Sequence, residues 1–277
     1  MRELLIAALI LLSSCATSDT KKFISSVPSE GGKFVSRGDE SLQKGEVREA
    51  ARKYGLAVLT FQKTDDLKGM AAAYLRLART ALLKRDAEDA NKYFVSAKTI
   101  CEREKLSEFK TDVAVLESTL LSSSEKNAEA EETLKKATAG ASGEDADKLD
   151  NARGKLLLSS GKAEEAKGYF TRVLSKTKNP DLESAAHYNM AQALLKTGDA
   201  DKALAQLFTA LELDKKSAAT INIGDTLYLI GTAYEAKKSF DDARYYYQRA
   251  LMAHAQVDLP EKAEADKTAL SALPAKQ

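Results

Sequence analysis

The sequence predicts an all-α fold in which antiparallel helix pairs stack in a row. Composition supports it first: Ala, Leu, Lys and Glu dominate the 277 residues, with only four prolines and no tryptophan, so obligatory helix breaks are few. Second, six times an Ala is followed four residues later by a bulky side chain and three later again by a small apolar one. The trios are Ala50/Tyr54/Ala57, Ala90/Phe94/Ala97, Ala130/Leu134/Ala137, Ala166/Phe170/Val173, Ala203/Leu207/Ala210 and Ala243/Tyr247/Ala250. Spacings of four and three put each trio on one helical face. Third, a turn position lies five residues before each leading Ala: Gly45, Arg85, Glu125, Gly161, Gly198 and Lys238. Seven residues before that lies a small side chain: Gly38, Ala78, Ser118, Gly154, Ala191 and Gly231. A small residue there suits a close crossing of two helices, where a larger one would hold the backbones apart.

The chain opens with Arg2 and Glu3, then an unbroken apolar run from Leu4 to Leu12. Such a run is too short to span a bilayer but suits the core of a secretory signal peptide. Leu12-Ser13-Ser14-Cys15 resembles a bacterial lipobox. The resemblance implies that residues 1–14 are removed and that Cys15 carries lipid into a bilayer. Ala16, the residue after it, implies the outer membrane by the same likeness. The other reading of Cys15 is an incidental thiol in an ordinary signal peptide. Residues 15–33 are polar, with Pro28 and Gly31-Gly32, and read as a flexible tether reaching roughly 20–25 Å.

The helix pairs then follow over residues 34–258. The sixth copy is the fullest, with Leu229-Ile230-Gly231-Thr232-Ala233-Tyr234, then Phe240-Asp241-Asp242-Ala243, Tyr247, Ala250 and Leu251. The fifth has Thr197-Gly198-Asp199-Ala200-Asp201-Lys202-Ala203 and Ala210-Leu211. The third departs most, with Ser122-Ser123-Ser124-Glu125 at its turn and Leu134 in the usual aromatic slot. On these residues the chain resembles the tetratricopeptide repeat family, whose units follow L-G-x₂-Y…A-x₃-F…A. That resemblance implies a right-handed α-solenoid of about six helix pairs. The copies start 36 to 40 residues apart against the usual 34, so either helices are longer or links are looser. The stretch from Ala139 to Asp147 is the candidate hinge, and Asn179-Pro180 reads as a helix stop and turn. Residues 259–277, with Pro260 in a first turn and Leu259, Ala263, Leu270 and Leu273 at helical spacing, read as a capping helix.

Charge and chemistry narrow the function. Forty-two Lys and Arg balance 41 Asp and Glu, giving a net charge of +1, which offers no broad attraction to nucleic acid. With Cys15 acylated only Cys101 remains, so no intramolecular disulfide is available, and Cys101 reads as a small buried residue. The two histidines, His187 and His254, have no HExxH or Cys partner, and no GxSxG or Walker A sequence occurs. Tyr247 of the Tyr245-Tyr246-Tyr247 run occupies a core slot. Neither a catalytic constellation nor a cofactor is predicted.

The family resemblance implies that the first helix of each unit lines a concave, partner-binding face. Matching the registers assigns to it Arg76 and Arg79 in the second copy, Asn151 and Lys155 in the fourth, and Tyr188, Asn189, Gln192 and Lys196 in the fifth. Tyr228, Thr232 and Glu235 follow in the sixth, with Asn189 at the place that often holds a bound backbone in relatives. These could equally be ordinary solvated surface. The expected function is a membrane-anchored, non-enzymatic scaffold of the bacterial envelope that binds a protein or peptide. By resemblance the roles are a pilus or secretion pilotin, a barrel-assembly accessory lipoprotein or a hydrolase adaptor. The alternatives are an enzyme or enzyme subunit acting on cell-wall glycan, with Glu235 and Asp225 as acid and base, and a self-associating structural protein.

Overall fold

A computed structural model describes residues 29–275, which form thirteen α-helices and one short 3₁₀ turn, with no strand among them. Cys15, the signal peptide and most of the tether lie outside the described residues. Six antiparallel pairs follow in order: α1 (Glu30–Gln43) with α2 (Val47–Lys63), α3 (Leu67–Leu83) with α4 (Ala87–Arg103), and α5 (Lys110–Ser123) with α6 (Asn127–Thr138). Then come α7 (Gly143–Ser159) with α8 (Ala163–Leu174), α9 (Pro180–Lys196) with α10 (Ala200–Lys216), and α11 (Thr220–Ala236) with α12 (Phe240–His254). The last helix, α13 (Pro260–Ala272), stands alone. Seven of these helices run 17 residues, so the added length of each repeat goes mainly into the helices.

Every pair turns the same way. The six turn positions read from the sequence all have positive φ, between +57° and +85°. The next residue's N–H then reaches back to a carbonyl five positions earlier at 2.8–3.0 Å, as in Asp86 to Ala81 and Ser239 to Tyr234. This closes the end of the first helix and satisfies one of its orphan carbonyls. Asp86 and Asp199 then start the following helix, their side chains accepting from the N–H groups of Asp89 and Lys202. Arg85, Glu125 and Lys238 hold this left-handed geometry with a Cβ, at a cost of about 1 kcal/mol each.

The small residue of each first helix receives the bulky residue of the second. A Cβ on Gly38, Gly154 or Gly231 would run into the ring of Tyr54, Phe170 or Tyr247 respectively. Ala78 packs with Phe94 and Ala191 with Leu207 at the same positions of their pairs, and Ser118 and Leu134 are buried at those of the third. All six bulky residues are buried, each contributing roughly 1.5–3 kcal/mol. Cys101 is buried beside Ala71 and Ile100, and burial pushes its thiol pKa up.

Two boundaries differ from the sequence reading. The tether was expected to extend to residue 33, but α1 begins at Glu30, because Ser29 caps it by accepting from Gly32 N–H at 3.1 Å and Gly31 packs under Phe61. Asn179-Pro180 starts a helix rather than stopping one: Asn179 accepts from the N–H groups of Asp181 and Leu182, and Pro180 takes the first helical position. The glycine-rich stretch supplies a link at 139–142, and Gly143 opens α7.

At the far end α13 covers the sixth pair, with Leu273 buried against Ala243 and Tyr247. The array also meets itself. The link between α12 and α13 packs on the turn between α1 and α2, joining Val257 and Leu259 to Val47 and Ile221 in one apolar cluster. Asp258 N–H donates to Gly45 C=O at 3.0 Å, and Arg48 pairs with Asp258 at 2.7 Å.

The crossing and the turn make opposite demands on side-chain size. Gly231→Ala should destabilise by about 1–3 kcal/mol through overpacking on Tyr247. Lys238→Gly should stabilise by a few tenths to about 1 kcal/mol by removing the left-handed penalty. Urea unfolding of the two variants beside the parent should move the midpoint in opposite directions.

Candidate functional site

The inner surface is lined by the first helices, and a polar recess lies between α7, α9 and α11. Asn151 and Lys155 of α7, Tyr188, Asn189 and Gln192 of α9, and Asn222, Asp225 and Thr226 of α11 border it. Asp214, from the last turn of α10, completes the wall beside Ser184. The cavity holds about 380 Å³, room for a few side chains of an incoming segment.

Adjacent repeats meet here through hydrogen bonds. Asn189 is buried and its Nδ2 donates to Asn151 Oδ1 at 3.0 Å, which holds both amides in place. Ser184 and Thr226 hydroxyls donate to the Asp214 carboxylate at 2.5 and 3.0 Å. Burial pushes Asp214 above the usual carboxylate range, and those hydroxyls offset part of the rise. Burial likewise raises the Tyr188 phenol.

Lys155 differs from Arg76 and Arg79, which pair with Asp39 and Asp112. Among the described residues it has no carboxylate within ion-pairing distance, and its side chain stays exposed to the recess it shares with a second hollow along α3, α5 and α7. Protein surrounds that recess, and the resulting desolvation lowers the ammonium pKa. An arriving anion would recover what that desolvation costs.

Five of the sequence-assigned residues therefore converge: Asn151, Lys155, Tyr188, Asn189 and Gln192. The other six are engaged differently or lie elsewhere. Arg76 pairs with Asp39 at 2.9 Å, and Arg79, on the wall of the neighbouring hollow, pairs with Asp112 at 2.6 Å. Lys196 is exposed at the end of α9, outside the recess. Tyr228 packs on the Tyr247 ring, 5.2 Å between centroids, while Thr232 and Glu235 accept from the Tyr247 hydroxyl at 3.2 and 2.7 Å. Ser184, Asn222 and Thr226 sit at recess positions that the register left unassigned, and Asp214 comes from a second helix.

A charged network borders the recess on the α11 side. His254 is buried between two carboxylates, with Nδ1 2.7 Å from Asp266 and Nε2 3.3 Å from Asp225. Lys262 Nζ donates to both Asp225 oxygens, at 2.6 and 2.8 Å. Gly224 leaves room for the imidazole ring, which a Cβ would strike. Burial alone would lower the His254 pKa, but Asp225 and Asp266 outweigh it and raise it to about 9. For Asp225, burial raises the pKa while His254 and Lys262 lower it, and the net direction is down. His187, in contrast, makes a 2.6 Å contact with Gln206 and stands apart from the recess.

Comparison with known proteins agrees with this architecture. The tetratricopeptide repeat family matches residues 181–253, which cover the fifth and sixth pairs. The fold is similar to that of the Cut9–Hcn1 hetero-tetramer of the APC/C (TM-score 0.60, 16% identity, 91% of this chain and 45% of that one). It is also similar to a Rap protein complexed with competence and sporulation factor (0.63, 14%, 91% and 77%). PilW, a widely conserved type IV pilus biogenesis factor, is a third (0.53, 15%, 85% and 97%). The chain thus spans less than half of the Cut9–Hcn1 chain but nearly all of PilW. No curated protein matches the sequence. The fold is a tetratricopeptide-type α-solenoid. No helix among the described residues is long and apolar enough to cross a membrane.

The histidine network makes stability depend on pH. Because the folded pKa of about 9 exceeds the unfolded value near 6.5, its contribution is full below about pH 6.5 and is lost as pH rises through 9. Urea midpoints between pH 6 and pH 10 should fall for the parent, and the fall should shrink in Asp266→Asn.

Proposed function

We propose that the protein is a non-enzymatic interaction scaffold that takes an extended segment of a protein partner onto the inner face of its solenoid. One observation carries the reading. Lys155 stands without a carboxylate among ordered amides and hydroxyls, whereas the inner-face arginines Arg76 and Arg79 are already paired within the chain. Asn151, Asn189 and Gln192 offer donors and acceptors matched to a peptide backbone, and Lys155 offers a charge for a carboxylate. The fold it shares with a Rap protein complexed with competence and sporulation factor is compatible with such a use.

The pairing of the two acids weighed for glycan cleavage supports the same reading. Asp225 is held by Lys262 and His254, and Glu235 accepts from Tyr247. General acid–base work needs carboxylates free to face substrate.

The lipobox-like Leu12-Ser13-Ser14-Cys15 supports anchoring by acylated Cys15, and Ala16 favours the periplasmic face of the bacterial outer membrane over the inner membrane or the cell surface. A role as pilotin, barrel-assembly accessory or hydrolase adaptor fits that placement, and the fold shared with PilW is compatible with the first.

Affinity capture from detergent-solubilised envelopes tests the groove. A partner retained by the parent should fall at least about tenfold with Lys155→Glu and stay unchanged with Lys196→Ala, while equal retention by Lys155→Glu would move binding off the inner face. Cys15→Ser should shift the protein from the membrane pellet to the soluble fraction, and persistence in the pellet would remove the lipid anchor from the reading.

A further inference from the structure

The joint between the two ends of the array is built unlike every other joint in the molecule. Successive pairs pack helix along helix, but no helix of the first pair runs along a helix of the last. The ends meet turn against turn. Gly45, in the α1–α2 turn, lies so close to Val257 that a Cβ there would overlap the valine side chain. Val257 and Leu259 close over Val47 and Ile221. The polar contacts are few: Asp258 N–H to Gly45 C=O, the Arg48 side chain and backbone N–H to the Asp258 carboxylate, and the Gln43 side-chain amide donating to Ser217 C=O. Arg48 is 77% exposed, so its ion pair adds little, and the apolar cluster carries the joint.

The segment on the closing side is itself pinned. Residues 255–259 run between His254 and Lys262, and both of those side chains contact Asp225 on α11. One carboxylate therefore fixes both ends of the segment, and the same carboxylate borders the recess. Val257 N–H also donates to His254 C=O at 3.2 Å, so a displaced His254 would carry the segment with it.

We propose that this joint is a clasp. It opens as a unit while the helix pairs stay folded, and Asp225 sets how tightly it is held. A joint made of two turns has no helix packed along a helix to hold it, so it separates before the helix pairs do. The inner face is enclosed when the clasp is shut and accessible from the side when it is open. The proposal concerns the chain alone and stands or falls independently of what binds inside.

Nitroxide labels at Lys44→Cys and Gln256→Cys, in the full chain with Cys15 and Cys101 replaced by serine, read the joint directly by double electron–electron resonance. The otherwise unchanged protein should give a short, dominant separation. Val257→Asp should shift it to a long, broad distribution with the helical circular-dichroism signal retained, and Asp225→Asn should populate the same long distances partially. Asp258→Arg, a partly exposed position facing Arg48, is the second opening variant should Val257→Asp lose its helical signal. A long, broad distribution in the unchanged protein would overturn the clasp. So would short separations that persist in every folded variant.

Discussion

The rest of the molecule depends on the seating of one bulky side chain from each second helix over one small residue of its first helix. Tyr54 over Gly38, Phe170 over Gly154 and Tyr247 over Gly231 bring two backbones close enough for their flanking residues to interlock. Everything beyond the pair follows from that spacing. It fixes how far the outer helix stands from the inner one, and hence how the next pair lies against both. The hydroxyls of Tyr54 and Tyr247 extend the same seat into the polar layer. Tyr54 donates to Asp39, which also receives Arg76 from the next repeat, and Tyr247 donates to Glu235. Packing and charge are thus set by the same side chain.

Much of this was legible in the sequence because it is local. A trio spaced four and three lies on one helical face in any tertiary context. A left-handed turn five residues ahead of it is a property of a few adjacent residues. The turn was recognisable even where Arg85, Glu125 or Lys238 stands in place of glycine, because the in-phase copies fixed its position. Asn179-Pro180 was misread for a related reason: a proline that ends one helix and a proline that starts another look alike in sequence. What separates them is the Asn179 side chain, which caps the helix that follows.

The inner face was only partly legible. Register placed Asn151, Lys155, Tyr188, Asn189 and Gln192 together, since those positions repeat with the helices. It could not show that Arg76 and Arg79 spend their charge on Asp39 and Asp112, because each of those pairs spans different repeats. It also could not find the His254 network, whose members lie on three helices and whose Asp225–Lys262 contact links residues 37 apart. Nor does any local pattern announce that Asp258 will meet Arg48, 210 positions away. Ion pairs of this kind leave no periodic trace.

The place where the ends meet defines the coil. Gly45 lies on the edge carrying the turns within pairs, whereas Val257 lies on the opposite edge, where one pair links to the next. Gln43 and Ser217 face each other across the same offset. The molecule is therefore a lock-washer rather than a flat ring, rising by one helix length per revolution, about 25 Å for a 17-residue helix. Six pairs complete one revolution. A seventh would have to stack on the edge of the first, and α13 lies where that second storey would begin.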